Sequence, residues 1–219
     1  MNLVGGKIIA DYMQDAQTLV KIFDLEGQQT GTVDLPGIGT AAGFAGKFDD
    51  PETFFSYTSF DTPTTVNRLD VATGEVTVFR KPDVAFNPDD YIVKQVFYSS
   101  KDGTRVPMFI AHRRDVEPDG NTPTMLYGYG GFNISLTPSF SVTRLAWMDM
   151  GGIYAVANLR GGGEYGKAWH KAGTRLNKQN VFDDFIAAGE YLVDEGYTSP
   201  SRLAIFGGSN GGLLVGAVT

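Results

Sequence analysis

The chain contains no cysteine among its 219 residues. That excludes disulfides, thiolate metal sites and a cysteine nucleophile, and it leaves the redox compartment undecided. Histidine is almost as scarce. His112 and His170 are the only two, far apart and without a neighbouring ligand pair, which argues against a zinc site. No run of 18 apolar residues occurs, so no transmembrane helix is indicated. Met1 to Ala10 hold one lysine and no long apolar segment. This does not read as a signal peptide, and a cytoplasmic location is the expectation. Basic charge is also in short supply: 18 Lys and Arg against 25 Asp and Glu give a net charge of −7. Nucleic acid and anionic membrane surfaces are therefore poor partners. What is present is a 42% hydrophobic composition, enough for a sizeable core, and 28 glycines, many in the second half, where they mark tight turns and close backbone approach.

Residues 1–85 read as short strands. Ile8 to Tyr12, Thr18 to Leu25, Thr53 to Phe60, Val66 to Val71 and Glu75 to Arg80 are rich in β-branched and aromatic residues, with Gly, Pro and Asp turns between them. Val20-Lys-Ile-Phe-Asp24-Leu-Glu-Gly27 parallels Val66-Asn-Arg-Leu-Asp70-Val-Ala-Thr-Gly74, the two aspartates lying 46 residues apart. A repeat of that length with several strands suits β-propeller blades. Lys81 to Asp90 is a linker candidate. From residue 86 the pattern changes to a hairpin (Tyr91 to Tyr98, Val106 to Ala111) and then to buried-strand candidates at Thr124 to Tyr129, Ile153 to Asn158 and Leu203 to Phe206. Between the last two, Phe182, Phe185, Ile186, Gly189, Leu192 and Val193 share one helical face. Asn180 is the expected N-cap, Asp183 and Asp184 the first-turn partners of the dipole, and Gly196 the stop. Alternating strands and helices imply a doubly wound α/β domain over 86–219.

Chemistry concentrates at Arg202-Leu-Ala-Ile-Phe-Gly207-Gly-Ser209-Asn-Gly211-Gly-Leu-Leu-Val. This G-x-S-x-G follows an apolar strand and precedes an apolar helix start, the context a nucleophile elbow requires. Gly207 and Gly211 let strand and helix approach, Ser209 is the nucleophile candidate, and the backbone N–H of Asn210 is the oxyanion donor. A second signal is Tyr127-Gly-Tyr129-Gly-Gly-Phe132-Asn133, after an earlier strand. α/β-hydrolases take their second oxyanion donor from such a loop. Spacing alone does not choose between Tyr127 and Tyr129, which share a strand face by alternation.

These two motifs, together with Arg160-Gly-Gly-Gly-Glu-Tyr-Gly166, Trp169-His170 and Asn177-Lys-Gln-Asn180 before Phe182-Asp-Asp-Phe185, resemble the prolyl oligopeptidase family from about residue 90 onward. The resemblance is weaker in the strand-rich part before it. Asn210 and Phe132 favour the proline-specific branch over oligopeptidase B. The resemblance implies an acyl-enzyme on Ser209, a side-chain oxyanion donor in the Tyr129 hydroxyl, a proline pocket walled by Phe132, and short proline-containing peptides as substrates. No cofactor or metal is implied. The implied fold is the end of a β-propeller followed by a partial α/β-hydrolase sheet.

The departures are as informative. Hydrolases of this fold place the triad Asp and His after the serine, yet only ten residues follow Ser209 and none is acidic or His. The chain thus resembles a piece of a longer enzyme, inactive by itself, with the missing remainder of the same chain as a partner. The same elbow also serves basic-residue oligopeptidases, acyl-peptide hydrolases and esterases, and a non-catalytic propeller module is a further reading. Gly161-Gly-Gly163-Glu-Tyr-Gly166 fits G-x-G-x-x-G, but Glu164 would repel a phosphate, so a structural turn is expected there.

Overall fold

The computed structural model describes residues 1–219. Eight short strands fill the first eighty residues: β1 (Asn2–Val4), β2 (Lys7–Gln14), β3 (Gln17–Phe23), β4 (Gln29–Thr32), β5 (Thr40–Ala45), β6 (Glu52–Thr58), β7 (Thr65–Asp70) and β8 (Val76–Arg80). They form two four-stranded antiparallel sheets, β1-β2-β3-β4 and β5-β6-β7-β8. The repeat marks one place in each sheet, the turn from third to fourth strand. Asp24 accepts from the Gln28 amide at 2.7 Å, and Asp70 from the amides of Ala72 and Thr73 at 3.0 and 2.8 Å. An aspartate that ties down its own turn explains why the repeat is legible in sequence. Strands β1, β4 and β5 were not anticipated. Gln29–Thr32 is short and polar, and β5 is interrupted by a bulge at Gly43 with Phe44 at φ 62°, which breaks the two-residue period.

Alternate residues of both sheets form one core. Val4, Ile9 and Val20 join Phe44, Phe55 and Leu69, and the Phe44 and Phe55 rings stack at 4.6 Å. By contacts this compact unit comprises Met1–Phe86 with Thr137–Ser141, and the second comprises Asn87–Leu136 with Val142–Thr219.

The second unit contains β9 (Tyr91–Ser99), β10 (Arg105–Arg113), β11 (Thr124–Tyr127), α1 (Val142–Asp149), β12 (Ile153–Ala157), α2 (Gly166–Lys171), α3 (Gln179–Asp194), β13 (Leu203–Phe206) and α4 (Asn210–Val218). The sheet order is β13-β11-β12-β10-β9. β11 runs parallel to β12 and β13, whereas β10 is antiparallel to β9 and β12. All five residues of β12 are buried, as a strand covered on both faces requires. The order carries a functional consequence. From β11 the chain moves outward to β12, then returns through α3 to the other side of β11. The strand order therefore reverses at β11, and the carboxyl ends of β11 and β13 lie side by side at a topological switch point, where open α/β sheets bind ligands.

Helix α3 corrects three expectations. Its N-cap position is Lys178, with no side-chain cap, while Asn180 lies inside the helix and donates to the Ala172 carbonyl at 2.8 Å. Asp183 and Asp184 are not first-turn dipole partners: Asp183 accepts from Gln179, and Asp184 is fully buried against Arg160. The buried face is Val181, Asp184, Phe185, Ala188 and Leu192, rotated from the expected apolar stripe, and Ile186 remains 44% exposed. The stop does fall at Gly196, at φ 74°, where Tyr197 N–H donates to the Leu192 carbonyl. Helices α1 and α2 were missed, because α1 buries only Leu145 and Met148, and α2 buries no residue fully.

Candidate active site

The elbow begins with a steric requirement. β13 must end and α4 begin within three residues, with both backbones close to the loop after β11. A Cβ on Gly207 would lie 2.5 Å from the Gly211 carbonyl oxygen, and one on Gly211 would lie 2.6 Å from that of Gly128. Neither position accepts a side chain. Between them Ser209 adopts φ 55° and ψ −115°, a sparsely populated conformation for an L-residue. Its carbonyl accepts from Gly212 N–H at 2.9 Å, so helical pairing starts behind it, and the side chain is exposed and makes no capping bond. Asn210 is the first residue of α4. The first amides of a helix have no intrahelical acceptor and carry the positive end of its dipole.

Asn210 is also a bracket between loops. Its Nδ2 donates to the Tyr129 carbonyl, and its Oδ1 accepts from Lys178 Nζ at 3.5 Å. A Cβ on Gly131 would lie 2.5 Å from Asn210 Nδ2, so that glycine is required by proximity to the elbow. The two tyrosines separate here. Strand β11 ends at Tyr127, whose ring packs against Phe206 at 5.7 Å. Tyr129 lies beyond the strand, half-buried, in the loop beside Asn210. They therefore do not share a strand face, and only Tyr129 belongs to the loop that meets the elbow.

That loop is held in an unusual shape. Gly130, Phe132 and Asn133 have φ of 59°, 53° and 57°, and Phe132 is 73% exposed. Asn133 N–H donates to the Gly161 carbonyl at 3.1 Å, while a Cβ on Gly161 would lie 2.7 Å from the Gly130 carbonyl oxygen. The glycine run after β12 thus serves loop-on-loop packing. Within it, Glu164 is buried. One carboxylate oxygen accepts from Leu136 N–H at 2.9 Å and Asn158 Nδ2 at 3.2 Å, and burial pushes the carboxyl above its usual range against those bonds. The run is a structural turn, with its acid turned into the protein.

Two contributors, Arg160 and Lys178, were not singled out in the sequence as separate functional residues. Arg160 is buried, and its Nη2 lies 2.6 Å from Asp184 Oδ1 and its Nη1 2.5 Å from Asp102 Oδ2. Its amide also donates to Asp184 at 3.0 Å, fixing the start of the loop that carries Gly161. Lys178 Nζ donates to the Gly130 carbonyl at 2.8 Å, and burial lowers its pKa. A lysine at the N-terminus of an amphipathic helix opposes the dipole, and that anomaly was the available signal. The two histidines do not reach toward a triad. His112 is buried in β10 with Nδ1 2.8 Å from the Arg113 carbonyl, and His170 Nδ1 lies 2.8 Å from that of Gly161.

Two four-stranded blades, then an α/β sheet with a strained serine between strand and helix at its switch point, define an α/β-hydrolase domain preceded by propeller blades. Comparison with known proteins narrows this. Residues 1–82 match the prolyl oligopeptidase N-terminal beta-propeller domain, and residues 138–219 match the prolyl oligopeptidase family. The chain is 53% identical over 217 residues to a prolyl endopeptidase of Elizabethkingia meningoseptica, covering 99% of this chain and 31% of that protein. It is 44% identical to the prolyl endopeptidase of Dictyostelium discoideum, covering 97% and 28%. A solved prolyl endopeptidase superposes with a TM-score of 0.90 at 55% identity, over 99% of this chain and 32% of that one. Prolyl oligopeptidase B of Galerina marginata, bound to a 25-residue macrocyclization substrate, gives 0.90 at 37% identity, over 99% and 31%. The chain belongs to the prolyl oligopeptidase family and spans about a third of the length of the curated relatives it matches.

Proposed function

We propose that this chain is the nucleophile-bearing part of a serine peptidase that cleaves short peptides after proline through an acyl-enzyme on Ser209. The observation that carries the reading is Ser209 itself, strained at φ 55° on the turn between β13 and α4, with the helix beginning at Asn210. Attack by Oγ on the scissile carbonyl places negative charge on its oxygen. The Asn210 N–H and the Tyr129 hydroxyl are the donors assigned to that oxyanion. Phe132, exposed on its αL turn, is assigned as a flat apolar wall for the pyrrolidine ring. The histidine that takes the serine proton and the acid that orients that histidine come from the remainder of a longer chain, so the 219 residues alone have negligible activity.

The test is a panel of chromogenic peptides on the longer gene product. Cleavage after proline, lost in Ser209→Ala, supports the reading. A preference for arginine over proline refutes the specificity, and turnover of a prolyl substrate by the isolated 219-residue chain refutes the division of the triad.

A further inference from the structure

Beside the elbow a cavity of about 460 Å³ opens between the Phe132 turn and the N-terminus of α3, lined in part by Phe132, His170, Thr174, Arg175, Lys178 and Asn210. In a chain of net charge −7 its lining is unusual: two cationic side chains and an imidazole, with no carboxylate among the lining residues. Neither cation is neutralised within the protein, since no ion pair involves Arg175 or Lys178. Lys178 is half-buried, and its ammonium has only the neutral oxygens of Gly130 and Asn210 as acceptors, leaving its third proton available. A desolvated charge without a counterion is costly unless a partner arrives. Arg175 is exposed and held at φ 54°, a conformation that strains a residue with a Cβ and commonly accompanies a functional role. His170 donates Nδ1–H to the Gly161 carbonyl, which fixes its ring at the cavity wall.

We propose that this cavity is a carboxylate-binding subsite, in which Lys178 and Arg175 hold an acidic side chain or the free C-terminal carboxylate of the peptide being cleaved. The proposal rests on the peptidase reading above, because Phe132 and Asn210 are shared between cavity and candidate catalytic site. Arg175 is suited to bidentate contact with a carboxylate, and Lys178 supplies a point charge from the buried side.

The experiment compares matched prolyl peptides on the longer gene product: Glu or Gln placed next to the proline, each with a free or an amidated C-terminus. The expected result is a kcat/KM about 5- to 10-fold higher for the carboxylate-bearing peptide, shrinking as salt is raised. That ratio should fall toward one in Arg175→Gln and in Lys178→Met. Arg175 is exposed and without an ion pair, so its variant remains informative where loss of Lys178 disturbs the loop. Comparison of the four peptides tells side-chain recognition from terminal recognition. A ratio near one in the unaltered enzyme, with neutral prolyl peptides still cleaved, overturns the subsite alone. A high ratio that survives both substitutions overturns its assignment to these residues. Failure to cleave any prolyl peptide overturns the underlying peptidase reading instead.

Discussion

Ser209 holds a conformation that typically costs a residue with a Cβ on the order of 1–3 kcal/mol. Glycine tolerates it, so Ser209→Gly is expected to raise stability by about 1 kcal/mol in urea titration while abolishing acylation. Ser209→Ala retains the Cβ and is expected to lose acylation without that gain. Tyr129→Phe removes one proposed oxyanion donor while keeping the ring. It is expected to lower kcat by roughly 10²–10³-fold with little change in KM, as single-turnover kinetics on the longer enzyme would read. Glu164 gives a pH signature. Its carboxyl is pushed up mainly by burial, opposed by the bonds from Leu136 and Asn158. A raised folded-state pKa means the protonated form is the better folded one: its contribution is full below the unfolded value and lost as pH rises through the folded one. Glu164→Gln should therefore match the parent at acid pH and become relatively more stable as pH rises, measured by denaturant midpoints across a pH series.

At the scale of elements, one buried ion pair organises the loops behind the site. Asp184 on α3 receives the Arg160 guanidinium and the Arg160 amide, and Asp102 on the β9–β10 turn receives the other side of the same guanidinium. Asp184→Ala would leave Arg160 buried and short of a counter-charge, with an expected loss of about 3–5 kcal/mol in the unfolding free energy. Replacing both partners by apolar residues of similar volume is expected to cost less than the single change, and a double-mutant cycle would show it. This pair also explains where the sequence misled. The local pattern reads Asp184 as a first-turn partner of the helix dipole. Its partner arrives from 24 positions upstream, a fact no local pattern contains. The same limit applies to Asn180, which has the chemistry of an N-cap but is used inside the helix to tie down Ala172.

At the scale of the whole molecule, apolar surface remains open. A cavity of about 500 Å³ lies along α3, β13 and α4, lined by Leu126, Ile186, Val193, Leu203, Ile205 and Val218 among others. β13 pairs only with β11 and so leaves the edge on the parallel side of the mixed sheet unpaired, and Phe206 and Leu213 are each 57% exposed. Parallel sheets are normally covered and their edges protected. The isolated chain is therefore expected to bind a hydrophobic dye and to self-associate with rising concentration in sedimentation velocity. A dye-negative monomer with a sharp cooperative melt would contradict this. The exposed half of α3 also accounts for its apparently misplaced stripe. Phe185 and Leu192 are buried in the core, Phe185 at the floor of the open groove that Ile186, Gly189 and Val193 face.

The sequence by itself determined what depends on near neighbours. It contained the blade repeat, because an aspartate holds its own turn. It contained the elbow, because strand, Gly-x-Ser-x-Gly and helix are contiguous, and the family, because several motifs recur in order. Only the tertiary structure decided what depends on contacts between distant segments. The return of the chain past β11 puts Tyr129 and Asn210 side by side, separates Tyr127 from that loop, buries Asp184 against Arg160, and gathers Lys178 and Arg175 around one cavity. The physical reason is that these residues meet through sheet order and loop packing, set by burial across the whole domain and carrying no period or spacing along the chain.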